Sequence, residues 1–237
     1  MSATLNFINY LMNRTFFIIN VILLFAAVSC NNHRQNISSK KNEADKSASV
    51  VPVTKVRTIL FFGNSLTAGY GVDPSDAFPA LIQNKIDSLK LNYKVINAGV
   101  SGETSAGGNS RVNWILKQPV DVFILELGGN DGLRGVPLTE TKKNLQSIID
   151  KVKAKYPKAK LVLAGMQIPP NMGKQYATEY KNIYPDLAAK NGITLIPFLL
   201  QGVGGDAKLN QHDGIHPTTE GHKIVAENVW KVLKDDL

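Results

Sequence analysis

Apolar and polar positions along this chain fall into blocks that favour strands and helices in turn. Residues 57–62 are a mostly apolar run closed by Gly63, the pattern of a strand buried on both faces. Between 78 and 90, Phe78, Leu81, Ile82, Ile86 and Leu89 recur at helical spacing. A short strand is predicted over 93–97, then a short helix marked by Val112, Ile115 and Leu116 and stopped near Pro119. Residues 121–127 are the clearest strand, apolar on both faces apart from Glu126. A helix over 139–156 carries Leu145, Ile148, Ile149 and Val152 on one face, with Thr139 as its predicted N-cap. A strand at 160–164, a helix at 175–190, a strand at 193–196 and a helix at 218–234 complete the series. Five short apolar strands separated by helices predict an α/β fold, a parallel sheet covered on both faces. In such sheets the ligand site lies beyond the C-terminal ends of the strands.

The front of the chain follows another pattern. Residues 15–29 are almost wholly apolar, with Arg14 before them and Cys30 after. Fifteen residues are short for a bilayer span, which needs about 20. A basic flank, an apolar stretch and small residues at a cleavage point predict a secretory signal, with an uncleaved anchor helix as the alternative. Ala27-Val28-Ser29-Cys30 resembles the lipobox of bacterial lipoproteins, in which the cysteine is lipidated and becomes the mature N-terminus. Residues 31–50 have almost nothing apolar to bury and are predicted to be a flexible tether. The expected organisation is therefore 1–29 signal, 30–50 lipidated cysteine and tether, and 51–237 folded domain, held on a membrane of the bacterial cell envelope.

Composition narrows the chemistry. One cysteine in 237 residues excludes an intramolecular disulfide framework and a cysteine-based zinc cluster. The formal charge of +8 comes from lysines scattered along the chain, without a basic block interleaved with aromatics. That distribution does not predict nucleic-acid binding.

Four polar loops follow strands. Residues 62–70 place Ser65 in a tight strand-to-helix transition, where a serine either presents its hydroxyl outward or caps a helix. Residues 97–105 (NAGVSGETS) contain glycines that could aim an amide into a cleft. Residues 128–135 (GGNDGLRG) offer the side-chain amide of Asn130 to a developing oxyanion, or form an ordinary Asn-Asp-Gly turn. Residues 212–217 (HDGIHP) put Asp213 three positions before His216, with a helix start at Pro217. A histidine base needs a carboxylate to fix its tautomer. His212, Asp213 and His216 also leave a metal reading open, but no further ligand cluster accompanies them.

The ordered blocks GNSLTAGY, NAGVSGETS, LGGNDGLRG and DGIHP, joined by MQIPP at 166–170, resemble the GDSL/SGNH hydrolase superfamily. Within it, the chain resembles the bacterial arylesterase, lysophospholipase and multifunctional thioesterase branch, over about residues 57–235. The resemblance implies a flavodoxin-like three-layer α/β/α sandwich with sheet order 2-1-3-4-5. It also implies Ser65 as nucleophile, His216 as base and then acid, and Asp213 as the orienting carboxylate. The oxyanion hole would comprise the amides of Ser65 and Gly102 and the side chain of Asn130. Asp131 would secure the Asn130 turn. Asn64 departs from the pattern, since the family usually carries Asp before the serine.

The implied reaction is two-step acyl transfer without metal or organic cofactor, on a small-molecule or lipid ester. Acyl-binding walls are expected from the loops after the third and fourth strands, including Leu133, Gln167, Ile168 and Pro169. The loop at 197–211 is expected to tune preference. Short or medium acyl esters and lysophospholipids are the expected substrates. A carbohydrate O-acetyl esterase, and a non-catalytic envelope binding lipoprotein, are the alternatives. A monomer is expected.

Overall fold

The computed structural model describes residues 55–169 and 173–237. The described residues all fall in one compact unit, Pro52–Leu237. The signal segment, Cys30 and the tether lie outside the described residues, as does Pro170.

Strands Arg57–Gly63 (β1), Tyr93–Gly99 (β2), Val122–Glu126 (β3), Lys160–Ala164 (β4) and Thr194–Ile196 (β5) form one sheet. Its order is β2-β1-β3-β4-β5, and every pairing is parallel. The helices are Ser65–Ala68 (α1), Phe78–Ser88 (α2), Ser105–Ile115 (α3), Gly129–Leu133 (α4), Leu138–Lys155 (α5), Lys174–Asn191 (α6) and Thr219–Leu233 (α7). Helix α2 packs on α7, α3 on α5 and α5 on α6, giving a helical layer on each side of the sheet.

The strand period of two decides what each face meets. In β1, Phe61 sets its ring edge-on to Phe78 of α2, with centroids 5.5 Å apart. Its neighbour Phe62 turns to the other face, toward Phe123 of β3 at 5.5 Å and under the Arg111 guanidinium of α3 at 4.0 Å. Ile59, Leu60, Phe61 and Phe62 are all fully buried, and each such side chain contributes about 1.5–3 kcal/mol. The cost of leaving β1 or β3 unpaired is what fixes them at the sheet centre, and both end at the site.

Some boundaries differ from the sequence expectation. Strand β2 extends to Gly99, absorbing the start of the second loop. Helix α3 begins at Ser105, well before Val112, because Thr104 caps it by accepting from the Gly107 amide; its two glycines mask the helical pattern. The third loop contains the helical turn α4. Helix α5 starts after Pro137 with no side-chain cap, so Thr139 lies inside the helix and its predicted capping role is wrong. The last helix starts at Thr219 with Thr218 as N-cap, while Pro217 pairs with Asn210 in an isolated bridge before it.

Candidate active site

Ser65 is the first residue of α1 and Asn64 is the cap. The Asn64 Oδ1 accepts from the Leu66 amide at 2.9 Å, which leaves the serine hydroxyl free of capping duty and corrects the reading of Ser65 as the cap. Close approach to β2 is possible because Gly99 has no Cβ; one would collide with the Ala68 backbone. Ser65 is 8% exposed, with its Oγ 2.8 Å from His216 Nε2.

The loop before α7 supplies the other two groups. Asp213 Oδ2 lies 2.6 Å from His216 Nδ1, and its Oδ1 accepts from the amides of Ile215 at 2.9 Å and His216 at 3.0 Å. The hydrogen bond from His216, joined by those two backbone bonds, holds the Asp213 carboxyl down at about 2. An ionised carboxylate facing Nδ1 fixes the proton there and leaves Nε2 as the acceptor for the serine proton. Tyr70 leans on the imidazole, with ring centroids 4.6 Å apart.

Asn130 sits in α4, its Nδ2 donating to the Glu103 carbonyl at 2.9 Å. An amide has two N–H donors, so this bond orients the group and leaves one donor for the cavity. Asp131 secures the turn through the Ser105 amide at 2.8 Å, the Ser105 hydroxyl and Thr141 Oγ1 at 3.3 Å. Gly102 sits in a left-handed turn, φ 79°, with its carbonyl accepting from Arg134 at 3.1 Å. It is not among the residues lining the cavity.

A cavity of about 430 Å³ opens at Ser65, His216 and Asn130, within the range of small-molecule sites. Leu133, Gln167, Ile168 and Pro169 all line it. So do Met166, Phe198, Leu200 and Ile215, and among the described residues His216 is its one ionisable lining residue. The loop at 197–211 thus forms a full wall of the cavity. Among the described residues no group of three or more His, Cys, Asp or Glu is placed to hold a metal ion. His222 is instead buried in α7, its Nδ1 accepting from the Phe78 amide at 3.3 Å.

Sequence reasoning missed Tyr70 and Glu126. Tyr70 carried no signal beyond its place in the first loop. Glu126 did carry one, as the lone acid of an otherwise apolar strand; it is 1% exposed beneath the serine.

A hydroxyl, an imidazole and a carboxylate in series, beside an apolar cavity at the carboxyl edge of a parallel sheet, define a serine hydrolase. Residues 61–224 match the GDSL-like Lipase/Acylhydrolase family, and the chain belongs to that family of ester hydrolases. It is 40% identical to "Esterase TesA" of Pseudomonas aeruginosa over 179 residues, 75% of this chain and 88% of that protein. It is 38% identical to "Thioesterase 1/protease 1/lysophospholipase L1" of Escherichia coli K12 over 178 residues, 75% of this chain and 83% of that one. A crystal structure of TesA superposes with a TM-score of 0.73 at 40% identity, covering 76% of this chain and all of the other.

Proposed function

We propose that this protein is a serine esterase that cleaves short- and medium-chain carboxylic esters, lysophospholipids among them, while tethered to the bacterial cell envelope. The observation that carries the reading is the unbroken relay from Asp213 through His216 to the Ser65 hydroxyl, at 2.6 and 2.8 Å, opening into the apolar cavity.

Ser65 Oγ attacks the ester carbonyl while His216 Nε2 takes its proton. The negative charge forming on the carbonyl oxygen is met by the free Nδ2 donor of Asn130 and the Ser65 amide, at the helix start where amides lack intrahelical acceptors. The Gly102 amide is the third proposed donor. His216 returns the proton to the departing alkoxide. A water deprotonated by the same imidazole then releases the acid and restores Ser65.

The cavity wall argues for a neutral acyl or alcohol group, since only His216 among its lining residues carries a titratable charge. The printed activities of the relatives, esterase and thioesterase/lysophospholipase, favour the same substrates. The envelope location rests on the sequence alone: the apolar run at 15–29, then Ala27-Val28-Ser29-Cys30. Incorporation of labelled palmitate, lost in Cys30→Ser, checks that part. Turnover of p-nitrophenyl esters from acetyl to palmitoyl and of lysophosphatidylcholine tests the substrate. A maximum at butyryl to octanoyl with lysolipid cleavage is expected. Activity restricted to acetyl groups on carbohydrates would refute the substrate assignment.

A further inference from the structure

Glu126 closes β3 directly under the serine turn and takes no part in the relay. Its carboxylate gathers three donors. Oε2 accepts from the Asn64 amide at 3.1 Å and from Thr67 Oγ1 at 2.8 Å, and Oε1 accepts from Asn64 Nδ2 at 2.7 Å. Gly63 makes room for this, since a Cβ there would collide with Thr67 Oγ1 and Glu126 Oε2. The Asn64 side chain is thereby fixed at both ends, its oxygen on the Leu66 amide and its nitrogen on Glu126.

The other ionisable groups nearby are committed elsewhere. Arg111 of α3 is held by Glu103 at 2.6 Å and by the Ala98 carbonyl at 2.8 Å. Tyr180 and Tyr184 of α6 bond each other and the carbonyls of Gly128 and Leu127, and burial raises both phenols. Asp131 is tied to Ser105 and Thr141. His216 reaches Ser65, beyond Asn64. Among the described residues no cation lies within ion-pair reach of Glu126.

We propose that Glu126 is a positioning residue of the esterase, whose ionised carboxylate, acting through Asn64, holds Ser65 in register with His216. This rests on Ser65 being the nucleophile. The charge strengthens all three bonds, although burial works against it. A proton on Oε1 would point at Asn64 Nδ2. Turning the Asn64 amide to accept it would swing Nδ2 onto the Leu66 N–H and destroy the cap. A proton on Oε2 would have to be accepted by the Thr67 hydroxyl, which would then stop donating, and would weaken the bond from the Asn64 N–H. Burial, opposed by the bonds from Thr67 and Asn64, pushes the Glu126 carboxyl up to about 7. Loss of the charge therefore falls near neutral pH, and the acid limb of kcat/KM contains the protonation of Glu126 in addition to that of the catalytic base.

The test uses Glu126→Gln, the charge-exchanged pair Asn64→Asp/Glu126→Gln, and phosphonate labelling of Ser65 in each. In E126Q an amide donor meets donors, and kcat falls roughly 10–100-fold with KM little changed. In the exchanged pair, the carboxylate introduced at position 64 accepts both from the Leu66 amide and from the carboxamide introduced at position 126. The oxygen of that carboxamide in turn accepts from the backbone N–H of position 64 and from Thr67. Activity returns to within about threefold of wild type. The limiting slope of log kcat/KM at acid pH is two in wild type and one in E126Q, where no ionisable group remains beneath the serine turn, which a merely structural role would not change.

Wild-type kcat in E126Q, or an exchanged pair no better than E126Q, overturns the proposal. Should E126Q not fold, the wild-type acid slope decides, and a slope of one overturns it. Unlabelled Ser65 in wild type would refute the esterase reading itself. Labelling of E126Q at the wild-type rate would refute only the role of Glu126.

Discussion

Asp213 is the member of the relay most open to water, with 38% of its side chain exposed, and this leads to an unusual ordering of variants. In Asp213→Asn the new side chain is nearly isosteric. Its Oδ1 can keep the bonds to the Ile215 and His216 amides, which turns Nδ2 toward His216 Nδ1 at the former 2.6 Å contact. The imidazole must then carry its proton on Nε2, facing Ser65, where it cannot act as a base. The expected loss in kcat/KM is about 10³–10⁴, or about 4–6 kcal/mol at about 1.4 kcal/mol per tenfold. In Asp213→Ala, water can enter from the exposed side, accept from Nδ1 and restore the productive tautomer. D213A is therefore predicted to be about tenfold more active than D213N, despite losing both loop hydrogen bonds. The assay is kcat/KM on p-nitrophenyl butyrate between pH 6 and 9, with circular dichroism to verify folding. D213N within tenfold of wild type, or well above D213A, would refute the tautomer argument.

Other consequences follow from the same geometry. Asn130→Ala removes an oriented oxyanion donor and should lower kcat about 10²–10³-fold with KM nearly unchanged, as steady-state kinetics on the same ester will show. His222 is 1% exposed and burial lowers it from 6.5 to about 4. Its contribution is present above pH 6.5 and is lost as pH falls through about 4, about 3 kcal/mol in all. Glu126 has the opposite sign, because its raised pKa gives stability that is present below about 4.5 and lost as pH rises through about 7. The two slopes oppose each other in wild type, so the comparison is with His222→Phe. Urea midpoints between pH 7 and 4.5 should show the variant gaining on wild type as pH falls.

The layers were legible in the sequence because β1 and β3 are runs of side chains buried on both faces, a pattern that surface helices do not share. The relay was legible because Asp213 and His216 come from one loop, and Ser65 follows a strand whose end is fixed by the sheet. The first half of helix α3 was hidden because Gly107 and Gly108 lower local helix propensity, and the Thr104 cap with the Ser105–Asp131 contacts overrides them. Glu126 was visible only as an anomaly in an apolar strand. Its meaning depends on Asn64 and Thr67, which lie 62 and 59 positions away in the chain and meet it only because β1 pairs with β3.

The central claim is that Ser65 is the nucleophile of an ester hydrolase. Its most direct test is intact-mass and peptide-map analysis after incubation with a fluorophosphonate, with Ser65→Ala as the control. The account predicts one adduct per chain, mapped to Ser65, formed at the rate at which esterase activity disappears, and no adduct in S65A. A folded protein that turns over esters without labelling at Ser65, or that labels equally in S65A, would contradict it.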